Sequence, residues 1–260
     1  MFETMSVTTP ASQLEQKIQT RTATICVVGL GYVGLPLLRA FFQAGFPVLG
    51  YDVDQEKIDQ LNRGESYLKH LGAAFAMEMS KSDKFRVTTD AQKLADADVI
   101  ILCVPTPLGE HGEPDMSYIT RSTEMVAKVL RKGQLITLES TTYPGTTRGD
   151  CIPILAKTGL VVGEDYFVAY SPEREDPGRQ DHSTQTIPKL VGGVDEVSGK
   201  LATMLYGAAI AEVVPVETAE IAEAAKLLEN IYRCVNIALV NELKPVLASM
   251  NIDIWKVVAA

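Results

Sequence analysis

The stretch that decides the fold of this chain is Ile25-Cys26-Val27-Val28-Gly29-Leu30-Gly31-Tyr32-Val33-Gly34. An apolar run typical of a β-strand enters a Gly-x-Gly-x-x-Gly turn, and a helical pattern follows. In such a turn Gly29 permits the tight bend, Gly31 lets the backbone approach a pyrophosphate, and Gly34 lets helix and strand pack closely. The N–H groups at the start of the helix favour phosphate charge. The stretch predicts a dinucleotide site, with an ordinary glycine-rich turn as the alternative.

A second apolar run ends in Tyr51-Asp52, about 20 residues further along the chain, where a ribose-binding acid is expected. A carboxylate there can accept a hydrogen bond from the ribose 2′-hydroxyl, and it would repel a 2′-phosphate. The cofactor predicted from these residues is therefore NAD rather than NADP.

Composition narrows the class of protein and its partners. The chain has 260 residues, of which 46% are hydrophobic, and a net charge of −9. This is enough for one large or two modest globular domains. The negative charge argues against nucleic acid or an anionic membrane as partner, since both require clustered Lys and Arg. We expect neither a membrane span, which needs about 18 apolar residues, nor a signal peptide.

The cysteines and histidines do not suggest a metal site. Four cysteines lack metal-ligand spacing, and Cys26 and Cys103 lie in apolar runs where cysteine usually acts as a small buried hydrophobe. The three histidines are scattered in polar segments. This usage predicts no bound metal and a reducing, cytoplasmic location.

Short apolar runs then alternate with helical patterns from residue 24 to residue 216. The predicted strands are 24–28, 47–51, 85–88, 99–104, 134–138, 166–170 and 189–191, and the clearest predicted helices are 33–44, 55–63 and 118–130. This alternation predicts an α/β fold with a doubly wound parallel sheet, a Rossmann-like domain whose ligand crevice lies at the carboxyl ends of the strands. Residues 1–23 are predicted to be a polar arm with a short helix near 14–19.

The pattern changes from Thr218 onward. Apolar residues recur at steps of three and four, which predicts one long helix that is broken or kinked near Pro245. Residues 217–260 would then begin a helical region. Because the chain stops at Ala260 without a capping residue, we expect it to be the N-terminal part of a longer polypeptide.

Three segments that follow predicted strands contain side chains that could bind the nucleotide, a water molecule or the substrate. Val104–Pro107 has two prolines that would present Thr106 beside the nucleotide, or simply form a turn. Glu139–Gly145 clusters hydroxyls, among which Thr141 is the best candidate to bind a water or a substrate hydroxyl. The alternative is an N-cap cluster for the following helix. In Ala169–Gly178, Glu173 could order a water and Arg174 could meet a polar substrate, unless the segment is a solvated loop.

The long helix places Lys226 and Asn230 on one face, four residues apart. One interpretation is a lysine paired with Glu223 or Glu229 on a solvated surface. The other is a partly desolvated lysine with a lowered pKa, suited to proton transfer beside an oxidised carbinol. Asn230 would then hold the substrate hydroxyl or an oxyanion.

Taken together and in order, these motifs resemble the UDP-glucose/GDP-mannose dehydrogenase family, the NAD-dependent oxidases of nucleotide sugars. The resemblance runs from about residue 22 to the end of the chain. The segments Glu139–Gly145 and Ser171–Gly178 are similar to those of the branch that acts on UDP-N-acetylhexosamines. The resemblance implies a four-electron oxidation of the sugar C6 alcohol to a carboxylate, with two NAD used in succession, and a homodimer formed through the long helix.

The resemblance also implies roles for residues. Thr141 would position the catalytic water, Glu173 would act in thioester hydrolysis, and Lys226 and Asn230 would act on the developing alkoxide. The residues implied to contact NAD are Gly29, Gly31, Tyr32, Val33, Gly34, Asp52, Lys57, Pro105, Thr106, Ser140, Thr141 and Glu173. Those implied to contact the sugar are Ala169, Tyr170, Ser171, Pro172, Glu173, Arg174, Lys226 and Asn230.

The sequence departs from the family in one essential respect. The family nucleophile is a cysteine in a Gly-Gly-x-Cys segment beyond the long helix, and no such segment is present. Cys234 lacks that glycine-rich setting, and the second, UDP-binding domain is also absent. Since a thioester route needs a thiolate, this chain is expected to bind NAD without producing the acid.

Two alternatives remain at this point. A dehydrogenase of the 3-hydroxyacid or 6-phosphogluconate type also has a Lys-x-x-x-Asn pair on a long helix, although the Ser171–Gly178 segment argues against it. The other is a non-catalytic NAD-binding module whose long helix serves only to pair two subunits.

Overall fold

The computed structural model describes residues 9–68, 71, 74–173 and 188–260. The helices are α1 (Pro10–Gln19), α2 (Gly34–Gln43), α3 (Gln55–Asn62), α4 (Ala74–Ser80), α5 (Ser117–Ala127), α6 (Ile152–Leu155), α7 (Glu196–Gly207), α8 (Ala219–Ser249) and α9 (Ile254–Ala259). A π-helical turn, Thr147–Cys151, precedes α6, and 3₁₀ turns occupy Ala91–Asp96 and Ala156–Thr158.

The strands form one sheet. They are β1 (Ile25–Val28), β2 (Val48–Tyr51), β3 (Phe85–Thr88), β4 (Val99–Leu102), β5 (Leu135–Leu138), β6 (Phe167–Tyr170), β7 (Lys189–Gly193) and β8 (Val213–Val216). Their order is β3-β2-β1-β4-β5-β6-β7-β8, and neighbours are parallel except for β6 and β7. The chain winds from β1 out to β3 on one side and from β4 onward on the other. The predicted doubly wound, Rossmann-like sheet is confirmed, and the strand order reverses between the paired strands β1 and β4, the point at which sheets of this kind bind ligands.

Both faces of the sheet are covered, as a parallel sheet requires. Along β1, Ile25 and Val27 pack into one buried cluster and Cys26 and Val28 into the other. All four side chains are almost completely buried. This explains why the strand is continuously apolar rather than alternating.

The seven predicted strands and the helices α2, α3 and α5 are present within two or three residues of their predicted bounds. The edge strand β8 and the helix α7 were not predicted. In β8, Pro215 interrupts the apolar pattern and the side chains are only half-buried or exposed, which is typical of an edge strand that proline can occupy.

The N-terminal segment differs from expectation. From residue 10 it forms α1, where Thr9 Oγ1 accepts a hydrogen bond from the Ser12 N–H at 3.1 Å. Leu14 and Ile18 are each 1% exposed and belong to the core. The short helix predicted near residues 14–19 is present and begins earlier, but it packs on the core, so the expectation of a polar arm is wrong for this part of the segment. Two apolar residues one turn apart attach a helix to the core while its other positions stay half-buried or exposed.

The chain divides into two compact units, residues 1–223 and 224–260, so the division falls inside α8. The predicted long helix is present, and it continues through Pro245 to Ser249. No helix in the described ranges is long and apolar enough to cross a membrane.

Candidate functional site

The glycine turn between β1 and α2 contains two glycines required by the backbone and one that borders open space. Gly29 has φ +93°, and a Cβ there would lie 2.7 Å from the Cys103 carbonyl oxygen. A Cβ on Gly34 would overlap the Gly29 carbonyl oxygen, whereas one on Gly31 would meet nothing within 4 Å. The free volume therefore lies over Gly31, where a ligand group could approach the main chain. Tyr32 beside it is 60% exposed.

Asp52, at the end of β2, is tied to the glycine turn. Its Oδ2 accepts hydrogen bonds from the Leu30 N–H at 2.8 Å and from Lys57 Nζ at 3.2 Å, and its Oδ1 accepts from the Asp54 N–H at 3.0 Å. Asp52 is 6% exposed, and Lys57 is half-buried. A carboxylate offers about four acceptor positions. The structure thus holds this carboxylate rigidly beside the turn with acceptor capacity remaining for a ligand hydroxyl.

The helix α2 begins at Gly34, with Val33 as the half-buried N-cap residue. The Val33 side chain makes no capping hydrogen bond, as expected for valine. The first N–H groups of a helix lack acceptors within the helix, so they and the helix dipole favour an anion at this end. The helix start that the sequence predicted directly after the glycine turn is therefore present, although the Leu35 N–H already donates to the Gly31 carbonyl at 3.1 Å.

Side-chain hydrogen bonds join the loops that follow β4, β5 and β6. Ser140 Oγ donates to the Val104 carbonyl at 2.6 Å, and Thr106 Oγ1 donates to the Thr141 carbonyl at 3.0 Å. The Tyr170 hydroxyl donates to the Ser140 carbonyl at 3.2 Å. The hydroxyl protons of Ser140 and Thr106 are thus used within the protein. Both residues stabilise the loops and retain only acceptor capacity toward a ligand.

Thr141 is half-buried and Pro105 is exposed, on the same edge of the sheet. The hydrogen bond from Thr106 to the Thr141 main chain brings the two predicted hydroxyl residues together. The carboxyl ends of β4 and β5 therefore lie side by side, as neighbouring parallel strands require.

The segment after β6 is fixed by main-chain and side-chain contacts. Ser171 donates its N–H to the Leu138 carbonyl at 3.0 Å and its Oγ to the Leu190 carbonyl at 2.8 Å. Ala169, Tyr170, Ser171 and Pro172 are buried, while Glu173 is half-buried. The side chains of these four residues are therefore not exposed, and the predicted sugar contacts among them stay a prediction. Arg174 lies outside the described residues.

Behind this edge lies a buried polar cluster that the sequence did not indicate. Lys189 Nζ lies 2.8 Å from Glu139 Oε2, and the Tyr206 hydroxyl donates to Glu139 Oε1 at 2.6 Å. The Thr137 and Tyr206 hydroxyl oxygens are 3.1 Å apart. Glu139 and Lys189 are adjacent in space but 50 positions apart in the chain. Glu139 follows β5 like the hydroxyl residues, and only the fold shows that it points inward.

A second missed residue is Glu223, at the start of α8. Its carboxylate accepts hydrogen bonds from the Gly145 N–H at 2.6 Å, the Thr147 N–H at 2.9 Å and Thr147 Oγ1 at 2.7 Å. Burial raises the pKa of Glu223, and the hydrogen bonds from Thr147 and Gly145 oppose that shift. Thr146 is the N-cap residue of the Thr147–Cys151 turn, but its side chain makes no capping hydrogen bond and donates to the Tyr143 carbonyl at 2.8 Å. The carboxylate of Glu223 therefore accepts hydrogen bonds from the main chain of this loop. The sequence had suggested a nearby hydroxyl side chain for that capping role.

Lys226 and Asn230 both lie on α8, one helical turn apart, as predicted. Lys226 is 8% exposed and Asn230 is half-buried. The low exposure of Lys226 argues against a fully solvated lysine and leaves open its pairing with a neighbouring carboxylate.

Two sequence profiles of one family match this chain. The NAD binding domain of the UDP-glucose/GDP-mannose dehydrogenase family matches residues 23–210, and the central domain of the same family matches residues 220–260. The matched ranges cover the glycine turn, the loops that follow β4, β5 and β6, and the Lys226–Asn230 pair.

Individual proteins that are similar to this chain are dehydrogenases of the same kind. The chain is 40% identical to a UDP-N-acetyl-D-glucosamine 6-dehydrogenase of Pseudomonas aeruginosa over 91% of its own length and 56% of that protein. Its structure is similar to a UDP-D-ManNAc dehydrogenase from Pyrococcus horikoshii, with a TM-score of 0.82, 35% identity and coverage of 90% and 56% of the two chains.

A ternary complex of GDP-mannose dehydrogenase from Pseudomonas aeruginosa gives a TM-score of 0.83 at 27% identity, over 90% of this chain and 55% of that one. The chain thus spans little more than half the length of these relatives. It belongs to the UDP-glucose/GDP-mannose dehydrogenase family and carries that family's NAD-binding domain.

Proposed function

We propose that this chain is the NAD-binding half of a nucleotide-sugar 6-dehydrogenase that oxidises the C6 alcohol of a UDP-N-acetylhexosamine to the uronate for surface polysaccharide synthesis. UDP-N-acetylglucosamine is the favoured substrate. Three observations at one edge of the sheet support the proposal. There is open volume over Gly31, the Asp52 carboxylate is fixed beside the glycine turn, and Thr106 is hydrogen-bonded to the Thr141 main chain. The 40% identity to an enzyme of that name supports the choice of sugar.

The geometry of the turn fits NAD. A pyrophosphate would occupy the open volume over Gly31 and face the start of α2, and the ribose hydroxyls would donate to Asp52. Lys57, held 3.2 Å from Asp52, keeps that carboxylate in place. When bound, NAD supplies a hydride acceptor.

The remaining candidate residues act on the sugar and on water. The half-buried Glu173 carboxylate, held by the fixed Ser171 segment, would order a water and accept its proton. Thr141 would hold that water through its hydroxyl. On α8, the buried Lys226 ammonium would stabilise the alkoxide that develops at the alcohol oxygen, and the Asn230 amide would donate to a sugar hydroxyl. Arg174 is proposed as a further sugar contact.

We propose that this chain does not carry out the covalent thioester step that produces the acid. Burial raises the pKa of Cys26 and Cys103, and it raises the pKa of Cys151 to about 11, so these thiols are poor nucleophiles at neutral pH. Cys234 is exposed on α8, away from any Gly-Gly-x-Cys segment. The four cysteines are free thiols, which supports a cytoplasmic location.

NAD titration and turnover test this proposal. The chain should bind NAD saturably and more tightly than NADP, and Asp52→Ala should weaken NAD binding about tenfold because a charged acceptor for the ribose is lost. With NAD and UDP-N-acetylglucosamine, absorbance at the NADH band should show no multiple turnover. Release of a uronate over many turnovers would contradict the proposed lack of a thioester step. Turnover of a 3-hydroxyacid would instead favour the alternative dehydrogenase.

We also propose that the chain pairs with a second copy through α8. Its apolar side chains lie exposed over several turns, among them Leu228 at 67%, Ile231 at 51% and Val235 at 60%. A continuous exposed apolar face of this length is typical of an interface. Light scattering should show a dimer that Ile231→Asp converts to a monomer, while Asn236→Asp, an exposed polar position on the same helix, leaves the dimer intact. A monomeric unmodified chain would contradict the pairing.

A further inference from the structure

Tyr67 lies between α3 and α4 and has no role in the function proposed above. Its hydroxyl donates at 2.6 Å to the carbonyl of Leu30, inside the glycine turn and 37 positions away in the chain. Its ring is half-buried and packs against the core. Burial raises the pKa of Tyr67, and the charges of Asp52 and Asp54 add to that shift. The hydroxyl therefore stays protonated at neutral pH and acts as a donor to the turn.

Leu30 is fixed through both its main chain and its side chain. Its N–H donates to Asp52 Oδ2 at 2.8 Å, and its carbonyl accepts from Tyr67. Its side chain is completely buried and packs over Gly50 of β2, where an added Cβ would lie 2.9 Å from Leu30 Cδ1. Because the Leu30 carbonyl carbon is bonded to the Gly31 nitrogen, the hydrogen bond from Tyr67 fixes the plane of the Leu30–Gly31 peptide.

The plane of this peptide determines where the Gly31 N–H points. In a planar trans peptide the C=O and the N–H point in opposite directions, and the described residues contain no cis peptide bond. The Gly31 N–H therefore points away from Tyr67. It donates to no acceptor within the described ranges, and a Cβ on Gly31 would meet nothing within 4 Å. This N–H is thus available to a ligand group in the open volume.

Lys57 on α3 connects the same tyrosine to the acid at the end of β2. Its Nζ lies 6.0 Å from the centre of the Tyr67 ring and 3.2 Å from Asp52 Oδ2. The face of an aromatic ring attracts a cation at about this distance. The contact with Lys57 uses the ring of Tyr67, whereas the contact with the turn uses its hydroxyl, so a substitution can remove one and keep the other.

We propose that Tyr67 is a positioning residue of the NAD site, because its hydroxyl holds the Leu30–Gly31 peptide with the Gly31 N–H directed at the pyrophosphate. The inference rests on the proposed function, in which the pyrophosphate occupies the volume over Gly31. A tyrosine that served only to pack on the core would require its ring but not its hydroxyl. Removal of the oxygen alone therefore separates the two roles.

The test compares how tightly NAD, ADP-ribose and adenosine bind to the 260-residue chain and to its Tyr67→Phe variant. The variant keeps the ring, and with it the packing and the contact with Lys57. It should bind NAD and ADP-ribose about fivefold more weakly, the factor expected for the loss of one neutral hydrogen bond. Adenosine lacks the pyrophosphate, so its affinity should fall less than about twofold. Ligand-observed NMR detects such weak binding.

Lys84→Met is the matched control. Lys84 Nζ donates to the Gly45 carbonyl at 2.9 Å, in the turn that precedes β2 and so at the opposite end of that strand from Asp52. Each variant removes one side-chain donor from a main-chain carbonyl. Only Tyr67→Phe should lower the affinity for NAD.

Unchanged NAD affinity in Tyr67→Phe, with circular dichroism showing a folded protein, would overturn the inference while leaving NAD binding itself established. An equal loss of affinity for adenosine, or an equal loss of NAD affinity in Lys84→Met, would also overturn it, because the effect would then not pass through the pyrophosphate or the turn. Absence of any NAD binding in the unmodified chain would reject the proposed function instead.

Discussion

Gly34→Ala is expected to lower the free energy of unfolding by about 3 kcal/mol or more and to abolish NAD binding. The added Cβ would overlap the Gly29 carbonyl oxygen and lie 3.1 Å from Val27 Cγ1. The Gly29 carbonyl belongs to the main chain of the turn, so it cannot move without displacing the end of β1 from its neighbours. Urea denaturation followed by circular dichroism measures the loss of stability, and NAD titration measures the loss of binding.

Gly31→Ala is the matched control, because a Cβ there meets nothing within 4 Å. Stability should change by less than about 1 kcal/mol, while NAD affinity falls at least about tenfold because the methyl group occupies the space of the pyrophosphate. Equal stability of the two variants would show that the close approach of helix and strand at Gly34 is not required. Unchanged NAD affinity in Gly31→Ala would show that no phosphate lies over that residue.

Glu223→Ala is expected to lower the free energy of unfolding by about 3 kcal/mol. The substitution leaves the Gly145 N–H, the Thr147 N–H and the Thr147 hydroxyl without the carboxylate that accepts from them. Glu223 is completely buried, so water cannot readily replace it. The loss should also loosen the loop that carries Thr141, which hydrogen exchange at residues 141–147 would detect.

Glu220→Ala provides the comparison one turn earlier on α8. Its carboxylate lies 2.6 Å from Arg148 Nε, but the two side chains are 31% and 49% exposed. An exposed pair contributes at most about 1 kcal/mol, so this variant should remain close to the unmodified chain in stability. Equal losses in the two variants would contradict the special role of Glu223.

Much of the NAD-binding half could be predicted from local pattern. The strand–turn–helix around Gly29–Gly34 and the acidic residue after β2 are marked by residue types at fixed spacing, so they can be recognised without knowing which distant residues they contact. The same holds for α8, whose apolar residues repeat at helical spacing. The family profiles confirm this domain over residues 23–210.

The parts that were missed depend on contacts between residues far apart in the chain. Glu139 belongs to a hydroxyl-rich segment, and nothing near it in the sequence distinguishes an inward carboxylate from a surface one. Its partners Lys189 and Tyr206 come from β7 and α7, and α7 was not predicted. Two apolar residues, Leu14 and Ile18, likewise gave too weak a pattern to predict that α1 packs into the core.

Local sequence was sufficient to predict the glycine turn, the acidic residue at the end of β2, the alternation that makes a parallel sheet and the order of the candidate motifs. Each of these is a local choice of residue type and spacing. Only the tertiary structure decided that Ser140 and Thr106 use their protons to join loops, that Ser171 holds the segment before Glu173, and that Glu139 and Glu223 face inward. Those outcomes depend on which strand lies beside which, because hydrogen-bond partners are selected by the register of the sheet rather than by distance along the chain.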